Sequence, residues 1–337
     1  MNKKLKVGVI GAGRIGKIHA MNIAKLNNVE LISIADINVD AAKDLVMKVG
    51  AKKYFSDFSE VINDSEIDAI VICSPTNTHA KLIIESAKAG KDIFCEKPID
   101  FDIEVIKEAL NVVKECGVKL QLGFNRRFDH NFKKIKDLIQ NDKLGKPHII
   151  KITSRDPKAP PAEYVKTSGG IFMDMTIHDF DMARYLAGSE VEEVFAVGNV
   201  LINLEIEGLG DFDTAVITLK FKNDAVCIID NSRETSYGYD QRVEYFGLKG
   251  CAIAQNDKPT NTILLNENGV IEDKPLYFFL ERYMQSFEDE LKEFVDSILN
   301  NKNVPVSGED GLKATLIAKA ALISAKENRV VKISEIL

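Results

Sequence analysis

Through the first 125 residues, short apolar runs alternate with amphipathic stretches. "LKVGVI" (5–10) is apolar almost throughout, and after "GAGRIG" comes "KIHAMNIAKL", where Ile18, Met21, Ala24 and Leu26 recur at roughly helical spacing. "VELISIAD", "DAIVIC", "KDIFCEKP" and "KLQLGFNRR" read as further strands, and "THAKLIIESAKAG" and "EVIKEALNVVKECG" read as helices between them. Strands separated by helices predict a parallel sheet. Ligands of such sheets bind beyond the carboxyl ends of the strands, which directs attention to the loops "SPTNTH", "EKP" and "NRR".

After about residue 125 the period changes from helical to two. In "DTAVITLKF", Ala215, Ile217, Leu219 and Phe221 alternate with Thr214, Val216, Thr218 and Lys220, as expected of a strand with one buried face. "HIIKITSR", "EEVFAVGNVLIN", "AVCIIDNSR" and "RVEYFGLKG" are strand-like, with one clear helix among them, and Asn223-Asp224 signals a hairpin turn. A largely antiparallel open sheet follows. Val216 and Val226 suggest that its second face meets another copy of the chain, so a homo-oligomer is expected. Near the end, Tyr283, Phe287, Leu291, Phe294 and Ile298 mark an amphipathic helix, and "GLKATLIAKAALISAKEN" marks another. The expected fold class is an α/β Rossmann dinucleotide-binding domain (1–125) plus an α+β domain with a large, mainly antiparallel open sheet (126–337), the C-terminal helices packing back on the first domain.

The 337 residues carry 51 acidic and 44 basic side chains, a net charge of -7. That balance disfavours a nucleic-acid partner or an anionic membrane surface. No apolar run reaches the length of a membrane span, and the chain enters a strand pattern at once, so a cytoplasmic location is expected. Cys73, Cys95, Cys116, Cys227 and Cys251 are scattered without CxxC spacing, which speaks against a disulfide framework or structural zinc.

The glycine loop carries the first chemistry. Gly11 permits a tight turn, Gly13 lets backbone approach a pyrophosphate, and Gly16 allows close packing of helix on strand, with Ala12, Arg14 and Ile15 completing the loop. The helix N-terminus then faces the phosphates. Asp36 closes the second strand 20 residues after Gly16, where its carboxylate can accept from the adenosine ribose hydroxyls and repel the 2'-phosphate of NADP. NAD is therefore the expected cofactor. Ser74, Thr76, Asn77 and His79 in "SPTNTH" and Glu96 and Lys97 in "EKP" are expected beside its nicotinamide, although Asn77 or Thr78 could equally cap the next helix. Lys97 follows a strand directly and precedes Pro98, so it stands at the sheet's functional edge on restricted backbone.

"GGIFMDMTIHDFD" (169–181) is apolar and yet rich in titratable groups. One helix from near Ile171 or Phe172 to about Leu186 would place Asp174 and His178 at i and i+4 on one face. Three readings compete there. A metal site lacks a third ligand at comparable spacing, so none is expected; a core histidine could be satisfied by an acid; or the pair could perform acid/base catalysis, for which histidine titrates in the right range and an aspartate can orient it.

Taken together, "GVIGAGRIGKIHA", "EKP" and "GGIFMDMTIHDFDMARYL" resemble the Gfo/Idh/MocA oxidoreductases over essentially the whole chain. "TSRDPKAPPAEYVKTSGGIFMDMTIHDFD" is similar to the inositol 2-dehydrogenase branch of that family. The resemblance implies Lys97, Asp174 and His178 as the catalytic group, a cis Lys97-Pro98 bond, and NAD-dependent oxidation of a cyclic polyol, myo-inositol foremost. It also implies tetramers joined through the open sheet. Arg127, Arg155, Asp156, Tyr237 and Tyr239 are the candidate substrate contacts. Arg155 and Asp156 stand where some inositol enzymes carry histidine or asparagine. The alternatives are a scyllo-inositol or sugar dehydrogenase of the same family, and an NAD-binding regulatory protein without turnover.

Overall fold

The computed structural model describes residues 4–336, which divide into two compact units: 4–125 with 285–313, and 126–284 with 314–336. In the first unit β1 (Leu5–Ile10), α1 (Arg14–Lys25), β2 (Val29–Ala35), α2 (Val39–Val49), β3 (Lys53–Phe55), α3 (Ser59–Ile62), β4 (Ala69–Ile72), α4 (Thr76–Lys88), β5 (Asp92–Cys95), α5 (Ile103–Cys116) and β6 (Leu120–Leu122) succeed one another. All six strands are parallel, in the order β3-β2-β1-β4-β5-β6. Chain direction through the sheet therefore reverses between β1 and β4, the crevice where such sheets take their ligands. "NRR" is not strand: Asn125–Phe128 form a single 3-10 turn, so Arg126 and Arg127 leave the sheet side by side.

The second unit holds α6 (His130–Gln140), β7 (Pro147–Arg155), α7 (Ala162–Ser168), α8 (Gly170–Asp174), α9 (Ile177–Ala187), β8 (Val191–Asn199), α10 (Leu204–Glu207), β9 (Thr214–Phe221), β10 (Val226–Ser232), β11 (Asp240–Gly247), β12 (Gly250–Ala254) and the hairpin β13 (Ile263–Asn266) and β14 (Gly269–Glu272). The chain ends through α11 (Phe279–Arg282), α12 (Met284–Leu299), α13 (Gly308–Glu327) and β15 (Val331–Lys332). A seven-stranded sheet runs β12-β11-β7-β10-β9-β8-β15, antiparallel except for the β7–β10 pair. It is mixed because several short helices, more than the one expected, lie between β7 and β10. The turn at Asn223-Asp224 joins β9 to β10, Asp224 taking φ 68°.

Strict alternation sorts this sheet's faces. Ile150, Ile152, Ile217, Leu219, Cys227, Ile229, Val243 and Tyr245 are buried. Ile149, Phe195, Val197, Val216, Ile228, Phe246 and Ile253 share the other face, each more than a third exposed. Tyr283 falls between α11 and α12 rather than within one long helix. Leu291, Phe294 and Val295 of α12 join the first unit's core beside Val7, Val9, Val71 and Phe94. Each such buried side chain contributes about 1.5–3 kcal/mol. Among the described residues no helix is long and apolar enough to cross a membrane.

Candidate active site

In the first unit the three loop glycines are distinguished by what a side chain would meet. Gly11 has φ +103°, and a Cβ there would lie 2.6 Å from the Cys73 carbonyl; one at Gly16 would lie 1.9 Å from the Gly11 oxygen. At Gly13 a Cβ would meet nothing within 4 Å, so this glycine leaves room rather than relieving a clash. Helix α1 begins without a side-chain cap and without an acid in its first turn. Its unsatisfied N–H groups suit a pyrophosphate, so the loop fits a dinucleotide. Ala12 is buried in this turn, Arg14 is exposed and Ile15 half-buried. Asp36 is half-buried, accepting the Ala12 N–H at 2.6 Å and the Asn38 N–H at 2.8 Å. A carboxylate keeps further lone pairs for ribose hydroxyls after two such bonds.

The loop after β4 is held by its own side chains. Thr78 Oγ1 lies 2.6 Å from Ser74 Oγ and donates to the Pro75 carbonyl at 2.7 Å. Neither Asn77 nor Thr78 caps α4, because the helix opens at Thr76 behind Pro75. Thr76 is half-buried and Asn77 exposed. His79 points inward, its two ring nitrogens each 2.7 Å from a carbonyl oxygen, those of Pro98 and Ser74; burial pushes its pKa down. It braces two loops rather than facing a ligand. The Lys97-Pro98 bond is cis, Lys97 is half-buried, and Glu96 Oε1 sits 2.6 Å from His19 Nε2.

In the second unit the single helix expected over 171–186 is broken. Met175 and Thr176 both send their N–H to the Ile171 carbonyl, and the Thr176 hydroxyl bonds Asn231 Oδ1 at 2.6 Å. Asp174 thus ends α8 while His178 begins α9, so helical i,i+4 stacking does not relate them. Gly170 (φ +81°) lets the chain enter α8 against Asp211, whose carboxylate takes the Ile171 N–H at 3.0 Å. Asp174 accepts from Tyr164 Oη at 2.8 Å and from Arg233 Nη1 at 3.2 Å. Along 171–183 only Asp174 and His178 are not buried.

The neighbouring acids are tied down. Asp179 accepts Arg126 Nη1 at 2.5 Å and Asn231 Nδ2 at 2.9 Å; burial pushes its carboxyl up and Arg126 opposes. Asp181 takes Arg127 Nε at 2.8 Å and Nη2 at 2.5 Å, a fork that engages the guanidinium expected to hold substrate. Arg127 also stacks on the Tyr185 ring at 4.9 Å. Tyr239 is buried against Phe278 and Tyr283, within 3.5 Å of Arg126.

Alternation also divides the "SRDP" residues. Arg155 lies on the open face of the sheet, where Nε donates to Asp230 at 2.6 Å and Nη1 to the Tyr237 hydroxyl at 3.1 Å, and that hydroxyl donates to Asp240 at 2.7 Å. Arg155 and Tyr237 therefore gather away from Asn231 and Asp179. Asp156 is half-buried; burial, with the Asp174 charge adding and Arg233 opposing, pushes its carboxyl up to about 7. Sequence reasoning did not single out Tyr164, Arg233, Arg126 or Asn231, whose partners are set only by the fold. The structure groups Asp174 with Tyr164 and Arg233 in the second unit, while Lys97 belongs to the first.

Comparison with known proteins matches both units. Residues 5–124 fit the Gfo/Idh/MocA model described as "Oxidoreductase family, NAD-binding Rossmann fold", and residues 136–333 fit that described as "Oxidoreductase family, C-terminal alpha/beta domain". The chain is 52% identical over 321 residues to the uncharacterized oxidoreductase YrbE of Bacillus subtilis, covering 95% of this chain and 94% of the relative. It is 49% identical over 333 residues to the myo-inositol 2-dehydrogenase of Thermotoga maritima, covering 99% and 100%. A scyllo-inositol dehydrogenase from Lactobacillus casei, solved with NAD(H) and scyllo-inositol, superposes with a TM-score of 0.92 at 35% identity, covering 98% of this chain and 100% of that one.

Proposed function

The chain belongs to the Gfo/Idh/MocA oxidoreductase family, and from that premise we propose that it oxidises a ring hydroxyl of a cyclic polyol, myo-inositol foremost, to the 2-keto product. The observation that carries the reading is the exposure pattern of residues 171–183, where Asp174 and His178 alone reach the surface from an otherwise buried segment. Burying a segment while presenting two titratable groups suits proton transfer.

In this reading Gly11 to Gly16, Asp36, the Ser74–His79 loop and Glu96 hold NAD, which when bound supplies the hydride acceptor. His178 takes the hydroxyl proton. Asp174, fixed by Tyr164 and Arg233, stabilises the resulting imidazolium, and Lys97 donates to the developing alkoxide. Asp156 stays as a polyol contact, Arg127 supports the site through its bond to Asp181, and Tyr239 shapes the wall. The open face, with Val216 and Ile228 on it, supports a homo-oligomer, with the tetramer favoured. Five free thiols suit the reducing cytoplasm.

The test is NADH formation with myo-inositol, scyllo-inositol, D-chiro-inositol and glucose. Myo-inositol is expected to give the highest kcat/KM, and His178→Ala to lose about 10²- to 10⁴-fold in kcat with NAD binding retained. A wild-type protein that binds NAD and oxidises none of the four would instead favour the regulatory reading.

A further inference from the structure

Lys97 is bounded on both sides by residues that buried histidines hold. On one side His19 Nε2 lies 2.6 Å from Glu96 Oε1, and Glu290 Oε1 approaches the same nitrogen to 3.9 Å. On the other, His79 reaches the Pro98 carbonyl at 2.7 Å. The His19 and Glu290 side chains are fully buried, and that of Glu96 is 14% exposed. The His19 ring packs edge-on against Phe94 and Phe287, at centroid distances of 5.0 and 5.7 Å. Gln121 Nε2 donates to the Glu290 main-chain carbonyl at 2.8 Å and so fixes this turn of α12. Neither side-chain oxygen of Glu290 meets a hydrogen-bond donor. A Cβ on Gly123 would come within 2.9 Å of Glu96 Oε2, so that glycine makes room for the carboxylate.

One imidazole between two carboxyl groups can neutralise at most one negative charge. The other titratable groups around the cluster do not supply a second cation to Glu290: the Cys73 and Cys95 thiols are neutral, pushed well up by burial and by Glu96, and burial pushes His79 down. A second carboxylate without a partner at this depth costs several kcal/mol, so it retains its proton. Glu290, the more deeply buried, is the one that does; burial and then the Glu96 charge both push it well up.

We propose that His19, Glu290 and His79 are positioning residues for Lys97: His19, with Glu290 packed beside it, holds Glu96 on one side of it, and His79 holds Pro98 on the other. The inference rests on the reading that Lys97 serves the reacting hydroxyl. Glu290→Gln, the isostere of a neutral acid, is expected to stay within about threefold of wild-type kcat for myo-inositol oxidation. Glu290→Ala and His19→Ala should lose roughly ten- to a hundredfold in kcat, with KM for NAD moving less than about threefold. A Glu290→Gln enzyme as slow as Glu290→Ala overturns the proposal.

Infrared spectroscopy with isotope-labelled glutamate needs no turnover. A protonated-carboxyl band at neutral pH, present in the wild type and lost in Glu290→Gln, is the expected result; absence of that band in the wild type overturns the proposal even where Glu290→Ala does not fold. If no polyol is oxidised, the functional reading falls and the infrared result still decides the state of Glu290.

Discussion

Asp156 illustrates how much a single residue's surroundings decide. The sequence offers it only as a candidate substrate contact; in the fold, burial and the nearby Asp174 charge push it up to about 7 against the pull of Arg233. An acid whose folded pKa is raised leaves the folded state holding the proton more tightly than the unfolded chain does. The stability this contributes is fully present below about 3.8 and is lost as pH rises through about 7. Asp156→Asn, permanently neutral, should therefore melt with the wild type at acidic pH and progressively above it as pH rises toward neutrality, levelling beyond that. Melting curves across this range check the prediction, and a difference that does not vary with pH counts against it. Asp174 and His178 stood out by their residue types; the helical stacking expected of them does not form, because Thr176 and Asn231 break the helix between them.

At the scale of elements, the glycine loop makes a sharp contrast. A methyl at Gly16 collides with the Gly11 carbonyl, whereas one at Gly13 enters open space. Gly16→Ala should cost about 1–3 kcal/mol in urea unfolding through overpacking. Gly13→Ala should leave stability near that of the wild type and weaken NAD binding in calorimetric titration, since the proposed function gives that open space to the pyrophosphate. Equal NAD affinity for Gly13→Ala and wild type would remove Gly13 from the cofactor site. The strand, loop, helix and acid of β1–α1–β2 were legible because they are local in sequence. The 3-10 turn at Asn125–Phe128 was not, because Arg126 and Arg127 are drawn out of the strand pattern by Asp179 and Asp181, 53 and 54 residues away.

For the whole molecule, the open face of the seven-stranded sheet is the main unexplained surface. Apolar side chains from six strands share it, and a patch of that kind on a water-facing sheet marks an interaction surface. Sedimentation velocity should find the wild type assembled, and Val216→Lys with Ile228→Lys should shift it toward monomer while the melting temperature of the monomer changes little. A wild type that sediments as a monomer would leave the face without its proposed partner copy.

The sequence by itself determined what depends on near neighbours: the periodicities of two and 3.6 that set strands and helices, the backbone freedom at Gly11 and the close packing at Gly16, and the placement of Asp36 and Lys97 at strand ends. Only the tertiary structure decided which charges meet. Arg233 reaches Asp174 across 59 residues, Asn231 sets the helix break across 55, and Glu290 comes from α12 to lie beside His19 on α1. Buried charges need partners, and packing brings those partners from parts of the chain that no short motif spans.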